Sequence, residues 1–451
     1  MARGSKQTTR TNIGRTQTKQ SLFSGPADIV HPRLIFIVAV AALTVIGLVM
    51  VFSSSTIQAM AEGSSPTAYV TKQAAITLGS ALMCLAIAGL VPYVRWLDRL
   101  LLAVWSVVVI LLLLTALIGT VGLGAKRWIV LGPVNFQPSE FAKAAIVLVM
   151  ARLLSQYRSS DISFEDLALR CAVGVLLPVA IIFIFQSDLG TTIICFVGIM
   201  AVLWIGEVPK TVFWGIIILL VVLGMAAILL TGYRGSRMSF LNPRADPYGD
   251  GYQLIHSFYA FGEGGLFGVG LGNSREKYLY LPEAETDFIF AIIGEEMGLA
   301  GALVIVGLFC AVLYSGLKIA RNAPDLFGGM IAGGCTLMLV FQAFLNIGCV
   351  LGMLPTTGKP LPFISSGGSA MIGSYLLVGL ILSVSLGSGA DAPIFERRRE
   401  DLRVVRSTSR PARSGRSGPP SPSGADASSR GRGRGRGSGR RAGGTSSRRH
   451  R

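Results

Sequence analysis

The sequence predicts an all-α integral membrane protein with about ten transmembrane helices and a large extracytoplasmic loop between helices 7 and 8. Three observations carry that prediction. The chain of 451 residues is 51% hydrophobic and only 14% charged, with a mean hydropathy of +0.59, which is too apolar for a water-soluble domain of this length. Its apolar residues fall into ten runs near the roughly 20 residues that cross the hydrocarbon of a bilayer. The net charge of +17 sits almost wholly at the two ends. Six Lys or Arg oppose the single Asp28 over residues 1–33, and seventeen Arg oppose Glu396, Glu400, Asp401 and Asp426 over residues 396–451. The body between them is close to neutral.

The ten runs lie at about 34–54, 74–93, 99–119, 138–155, 170–186, 189–206, 211–232, 287–316, 326–350 and 363–387. They divide the chain into a basic disordered tail (1–33), a polytopic membrane domain (34–390) and an Arg/Gly/Ser-rich disordered tail (391–451). The polar lead before the first run is too long for a cleavable signal peptide. Ten crossings return the chain to its starting side, so both termini are expected in the cytoplasm. The loops then predicted as cytoplasmic hold Arg95, Arg99, Arg152, Arg158, Lys210, Lys318 and Arg321, as the positive-inside rule requires. The last tail, with its RGRGRGRG run from Arg430 to Gly437, has too few apolar residues to build a core. It reads as an anchor to anionic lipids of the inner leaflet, with protein partners or nucleic acid as the less favoured alternatives.

This topology leaves residues 120–137 and the longer segment 233–286 outside. Both are rich in Gly, Pro and polar residues, and the longer one carries aromatic punctuation that suits a loop folded over the membrane mouth. Six cysteines are scattered singly through apolar stretches, and three histidines form no ligand spacing. A dedicated Cys/His metal site is therefore not expected.

An ionisable group at membrane depth costs several kcal/mol if it stays unpaired, so each one marks a candidate site. Glu140 and Lys143 stand three residues apart at the start of the fourth run, on one helical face. Asp188 lies in the turn between the fifth and sixth runs, and Asp287 opens the eighth. All belong near the outer face. Plain readings exist for each: a structural ion pair for Glu140 and Lys143, a helix cap for Asp188, a first-turn carboxylate complementing the helix dipole for Asp287. Glu295 and Glu296 lie about two turns deeper, where capping no longer applies, and pairing with a basic residue is expected.

Three ordered motifs then become specific. They are Gly124-Ala125-Lys126-Arg127-Trp128-Ile129 with Phe136-Gln137-Pro138-Ser139-Glu140-Phe141-Ala142-Lys143; Tyr280-Leu281-Pro282-Glu283-Ala284 with Thr286-Asp287-Phe288-Ile289-Phe290 and Gly294-Glu295-Glu296-Met297-Gly298; and Asn346-Ile347-Gly348 through Leu354-Pro355-Thr356-Thr357-Gly358 to Pro362-Phe363-Ile364-Ser365-Ser366-Gly367-Gly368-Ser369. Together they resemble the SEDS proteins (shape, elongation, division, sporulation) over roughly residues 34–390. Phe240-Leu241-Asn242-Pro243, Asp246-Pro247 and Gly251-Tyr252-Gln253 resemble the cell-division branch more than the elongation branch. Two positions depart from the family pattern. Ser366 stands where a tyrosine is usual, and Glu285 where a histidine is common, which adds a negative charge beside Asp287 and is expected to raise its pKa.

The resemblance implies a peptidoglycan glycosyltransferase that polymerises lipid II on the outer face of a bacterial cytoplasmic membrane, at the division septum. Its implied partners are a class B penicillin-binding protein transpeptidase and other divisome proteins. The chemistry joins a sugar 4-hydroxyl to an anomeric carbon that carries undecaprenyl diphosphate. Because a diphosphate departs without protonation, one carboxylate acting as base suffices for inversion, whereas a hydrolase needs two. Asp287 resembles the family's catalytic aspartate and is the expected base. Lys143 and Arg127 are the expected cations for the diphosphate, with a divalent ion (Mg or Mn) held by carboxylates as a further aid. Glu140 would orient Lys143, and Asp188, Ser365 and Ser366 would support the site. From the outer loop, Gln253, His256, Arg275 and Lys277 would bind sugar or diphosphate. The rival readings are a flippase of lipid-linked precursors, which calls for broken helices and polar groups near the midplane, and a noncatalytic divisome scaffold, which would tolerate replacement of Asp287.

Overall fold

The computed structural model describes residues 25–388, apart from 98, 123–124, 132–133, 231–238 and 250. Most of the 1–33 tail, the whole 391–451 tail and part of the long outer segment lie outside the described residues. The described chain forms one helical body. Its helices are α1 (Ala27–Ala61), α2 (Ala68–Leu90), α3 (Arg99–Ile118), α4 (Pro138–Arg158), α5 (Phe164–Phe185), α6 (Leu189–Ile205), α7 (Lys210–Leu230), α8 (Tyr252–Gly264), α9 (Ile289–Arg321), α10 (Leu326–Val350) and α11 (Gly368–Gly387). Seven of these, α1, α2, α3, α5, α9, α10 and α11, are long and apolar enough to cross a membrane by length and composition. The helices α4, α6 and α7 occupy the other three predicted crossings, while α8 is a short amphipathic helix of the long segment. The chain is thus a multi-pass membrane protein.

Burial sorts the helices. In α10, 83% of the most apolar window is buried, against 28% in α2, α3 and α5, so α10 is the centre of the bundle and the others present one side to lipid. Close approach makes that centre possible. A Cβ on Gly333 of α10 would lie 2.1 Å from Ile205 Cδ1 at the end of α6, and small residues are how helices meet where no hydrophobic effect drives them together. Around this centre, α10 packs on α9, α6 and α11, while α2 packs on α11 and α1 on α9.

Several boundaries differ from the sequence reading. Helix α1 begins at Ala27, because Arg33 is not a tail residue: it is buried and donates to Ser385 Oγ at 2.9 Å and to the Ser385 carbonyl at 2.6 Å. Helix α5 starts earlier than expected, at a Ser163 cap whose Oγ accepts the Asp166 N–H. It also contains two π turns, Ala172–Leu176 and Ile181–Phe185.

The segment 120–137 is not an open loop. It forms a three-stranded antiparallel sheet of β1 (Thr120–Gly122), β2 (Ala125–Leu131) and β3 (Val134–Phe136), with Thr120 opposite Trp128 and Ile129 opposite Phe136. The sheet ends on Pro138 at the first turn of α4, where a missing N–H costs nothing.

Helix α9 is broken at Gly298, whose φ of 67° and ψ of −168° are not helical. The groups freed by the break are taken up by the chain that follows α8. Val269 N–H donates to the Glu295 carbonyl at 2.9 Å and Gly270 N–H to that of Glu296 at 3.0 Å, while Leu299 and Ala300 N–H groups donate to the carbonyls of Gly265 and Leu266. Irregular backbone is tolerated at membrane depth only when it is satisfied in this way.

Candidate active site

The β-sheet, the chain before α9 and the turn between α10 and α11 converge at one end of the bundle. They enclose a cavity of about 340 Å³ lined by Arg127, Gln253, Glu283, Asp287, Asn346, Thr356, Thr357 and Lys359, among others. That volume suits a sugar with part of its leaving group.

Asp287 lies two residues ahead of α9, in a turn built by Glu283. The Glu283 carbonyl accepts the N–H groups of Thr286 and Phe288, and its carboxylate accepts Thr286 Oγ1 at 2.6 Å. Glu283 holds a φ of +58° to make that turn, a strain of about 1 kcal/mol for a non-glycine residue. Among the described residues no hydrogen bond or ion pair engages the Asp287 carboxylate. Burial pushes its pKa up to about 6, and the charges of Glu283 and Asp188 add to the rise while Lys359 and Arg127 oppose it. The adjacent carboxylate that raises it is therefore Glu283 and not Glu285, as the sequence had suggested; Glu285 is itself buried with a raised pKa. Space around the carboxylate is limited: a Cβ on Gly358, at φ +64°, would stand 3.3 Å from Asp287 Oδ2.

Asp188 is a cap, as the plain reading held, and more. It caps α6 by accepting Thr191 N–H at 3.0 Å and Thr191 Oγ1 at 2.8 Å, and it pairs with Lys359 Nζ at 2.7 Å. Burial alone would raise its pKa, but Lys359, the Thr191 N–H and Arg127 together hold it below the usual carboxylate range. It is a carboxylate held in its ionised form, with both oxygens engaged in capping α6 and pairing Lys359. Arg127, on β2, donates Nε to the Gln186 carbonyl at 3.0 Å and Nη2 to that of Ser187 at 2.7 Å, which locks the sheet onto the turn before Asp188.

The remaining predicted residues separate into two groups. Gln253 lines the cavity with Asp287 and Arg127. Ser365 Oγ donates to the Thr286 carbonyl at 2.6 Å, and Ser366 N–H to that of Glu285 at 2.8 Å, so both brace the strand that carries Asp287. Lys143 does not reach the cavity lining. Its ammonium, about 1% exposed, is held by Glu140 Oε2 and by Gln342 Oε1, each at 2.6 Å. His256 Nδ1 lies 2.7 Å from Glu276 Oε2, and its ring faces Tyr280 at an interplanar angle of 12°. Lys277 pairs with Glu296 at 3.0 Å and donates to Ser53 Oγ, and Arg275 lies 80% exposed, 3.8 Å from Glu263. The pairing partner expected for Glu296 is thus Lys277, drawn from the outer segment.

Among the described residues the cations that line the cavity are Arg127 and Lys359, and Lys359 was not singled out in the sequence. Among the described residues no three of His, Cys, Asp and Glu stand close enough together to hold a metal ion.

These features define a multi-pass membrane protein with an unpaired carboxylate and two cations in a cavity at one end of its bundle. The chain belongs to the FtsW, RodA and SpoVE family of cell cycle proteins, whose profile matches residues 33–388. It is 38% identical over 359 residues to stage V sporulation protein E of Bacillus subtilis (strain 168), across 78% of this chain and 97% of that protein. It is 37% identical over 370 residues to the probable peptidoglycan glycosyltransferase FtsW of Aeromonas salmonicida (strain A449), across 80% and 91%. Its fold is similar to a chain from a structure titled "Structural coordination of polymerization and crosslinking by a peptidoglycan synthase complex", with a TM-score of 0.63 and 26% identity over 79% of this chain and 98% of that one. It is also similar to the Thermus thermophilus rod shape determining protein RodA, with a TM-score of 0.57 and 25% identity over 79% and 97%.

Proposed function

We propose that this chain is a peptidoglycan glycosyltransferase of the FtsW kind, which polymerises lipid II into glycan strands during septal wall synthesis. The single observation that carries the reading is Asp287, a cavity-wall carboxylate with no hydrogen-bond or ion-pair partner among the described residues and a raised pKa beside two cations. A base with a pKa of about 6 is largely ionised at neutral pH, yet holds a proton better than an ordinary aspartate. It accepts the proton of the acceptor sugar's 4-hydroxyl as that oxygen attacks the anomeric carbon of the donor. The bond from that carbon to the diphosphate oxygen breaks, the configuration inverts, and undecaprenyl diphosphate leaves. Arg127 and Lys359 stabilise the charge that gathers on the departing diphosphate. The positive-inside pattern supports the cavity face as extracytoplasmic and both termini as cytoplasmic. A class B penicillin-binding protein transpeptidase is the partner, in keeping with the synthase complex that the fold resembles.

The helix break at Gly298 is the kind of feature a transporter would use. It is filled by the backbone of residues 265–270, which favours the enzymatic reading. The experiment is to incubate purified protein with lipid II, with and without the transpeptidase. Wild type is expected to form polymer, with a rate that rises with pH through about 6. Asp287→Ala is expected to insert into membranes normally and form none. Polymer from Asp287→Ala would remove the residue from the catalytic role, and a wild type that forms no polymer with or without the transpeptidase would revive the scaffold reading.

A further inference from the structure

The central helix α10 carries Gln342 and Asn346, both buried and one helical turn apart on the same face. Each donates a carboxamide N–H to one of two consecutive carbonyls in the turn leading to α11. Gln342 Nε2 reaches Pro360 at 3.0 Å, and Asn346 Nδ2 reaches Lys359 at 2.7 Å. The second proton of Asn346 Nδ2 goes to the Asp287 carbonyl, also at 2.7 Å. One amide therefore ties the backbone of the base to the backbone of the cavity cation.

Neither carboxamide is free to flip. Turning Asn346 over would set Oδ1 against two carbonyl oxygens. Gln342 Oε1 faces the Lys143 ammonium at 2.6 Å, which has only protons to offer. Lys143 is fixed in turn by Glu140, and neither of the two lines the cavity. A carboxamide also suits the position chemically, because it donates twice without adding charge beside Asp287.

We propose that Gln342 and Asn346 are positioning residues, a two-rung ladder that sets the separation of Asp287 and Lys359. The buried Glu140–Lys143 pair acts on the reaction through this ladder and not by contact with the diphosphate. Burying an ion pair is rarely favourable in itself, and orienting Gln342 is the use this one has. The proposal rests on the glycosyltransferase reading.

The test uses the full-length protein with its transpeptidase partner, lipid II polymerisation kinetics and thermal unfolding in detergent. Asn346→Ala is expected to lower kcat by about 30- to 100-fold with KM within about threefold, the cost of a small misplacement of reacting groups. Asn346→Asp keeps the volume in case the truncation fails to fold. It replaces a double donor with a carboxylate beside the base, and is expected to lower kcat with KM kept and to move the acid limb of the pH–rate profile upward. Lys143→Met and Gln342→Met are each expected to lower kcat by about tenfold, and the double variant to be no slower than the slower single, as linked steps require. Multiplying losses, or a KM that rises with Lys143→Met alone, would overturn the ladder in favour of direct diphosphate contact. Wild-type kcat with an unshifted profile in Asn346→Asp would overturn it as well. Wild type and Asp287→Ala run alongside: if wild type forms no polymer, the enzymatic reading fails; if wild type polymerises, Asp287→Ala is dead and the ladder variants are normal, only the ladder fails.

Discussion

Asp287 and Glu296 sit on the same stretch of chain, one just before α9 and the other inside its first turns, yet their surroundings are opposite. Glu296 is about 1% exposed and receives Ser53 Oγ on both oxygens, at 2.6 and 2.8 Å, and Lys277 Nζ at 3.0 Å. Glu295 beside it takes Ser274 Oγ and the Arg275 N–H. The Asp287 carboxylate takes no hydrogen bond among the described residues, and its pKa rises to about 6. A carboxylate whose lone pairs are filled by its own protein holds segments together. One that the fold leaves empty in a cavity is available to a substrate.

The difference can be broken from the structural side. Lys277→Ala would leave Glu296 buried without its cation, a loss of about 3–5 kcal/mol. It is expected to lower the thermal midpoint in detergent sharply and to free residues 265–288 to protease. Polymerisation would fall with the folded fraction and not with kcat. A folded, stable and inactive Lys277→Ala would instead put the ammonium in the reaction.

A somewhat smaller effect is expected at Gly298. A Cβ there would lie 2.4 Å from Gly268 N and 2.6 Å from the Leu266 carbonyl, on backbone at φ +67°. Clash and strain together make Gly298→Ala cost about 3 kcal/mol. The measurement is hydrogen exchange at residues 265–270, whose protection should drop while that of α10 holds.

From the functional side the sign reverses. Asp287 has a folded pKa above its unfolded value, so the stability linked to it is present at low pH and is lost as pH rises through about 6. Asp287→Asn removes that cost. It is expected to be more stable than wild type at pH 7, by on the order of 2 kcal/mol. The gain should shrink as pH falls toward the ordinary carboxylate range. A variant that is both inactive and more stable marks a residue kept for chemistry; an equal or lower midpoint at pH 7 would mean that Asp287 has a structural partner.

The same contrast explains what the sequence disclosed. Ten apolar runs and their basic flanks foretold ten helices of the body, seven of which are long and apolar enough to cross a membrane in their own right. Asp287 was legible because its motif is local. Lys359 was not, since a lone Lys between Gly358 and Pro360 reads as an exposed turn residue, and its partner Asp188 is 171 positions away. Lys277 and His256 were read as substrate ligands because polar residues of a long outer loop often are. Their acidic partners Glu296 and Glu276 become visible only once the segment folds down. Gln342 and Asn346 left a signal that could have been used, two carboxamides one turn apart on an otherwise apolar helix.

Arg275 sharpens the comparison with the smallest effect. It is two residues from Lys277 and has the same formal charge, but it is 80% exposed and stands 3.8 Å from a half-open Glu263. Solvent screens such a pair, and exposed pairs contribute about 0–1 kcal/mol. Arg275→Ala is therefore expected to leave the thermal midpoint nearly unchanged. Polymerisation should stay within about twofold of wild type, since the side chain does not line the cavity. The backbone N–H of Arg275, which holds Glu295, survives the substitution. A loss beyond tenfold in kcat/KM at an unchanged midpoint would show that this guanidinium swings in to meet the diphosphate, and Arg275 would then have to be counted with Arg127 and Lys359 as part of the site.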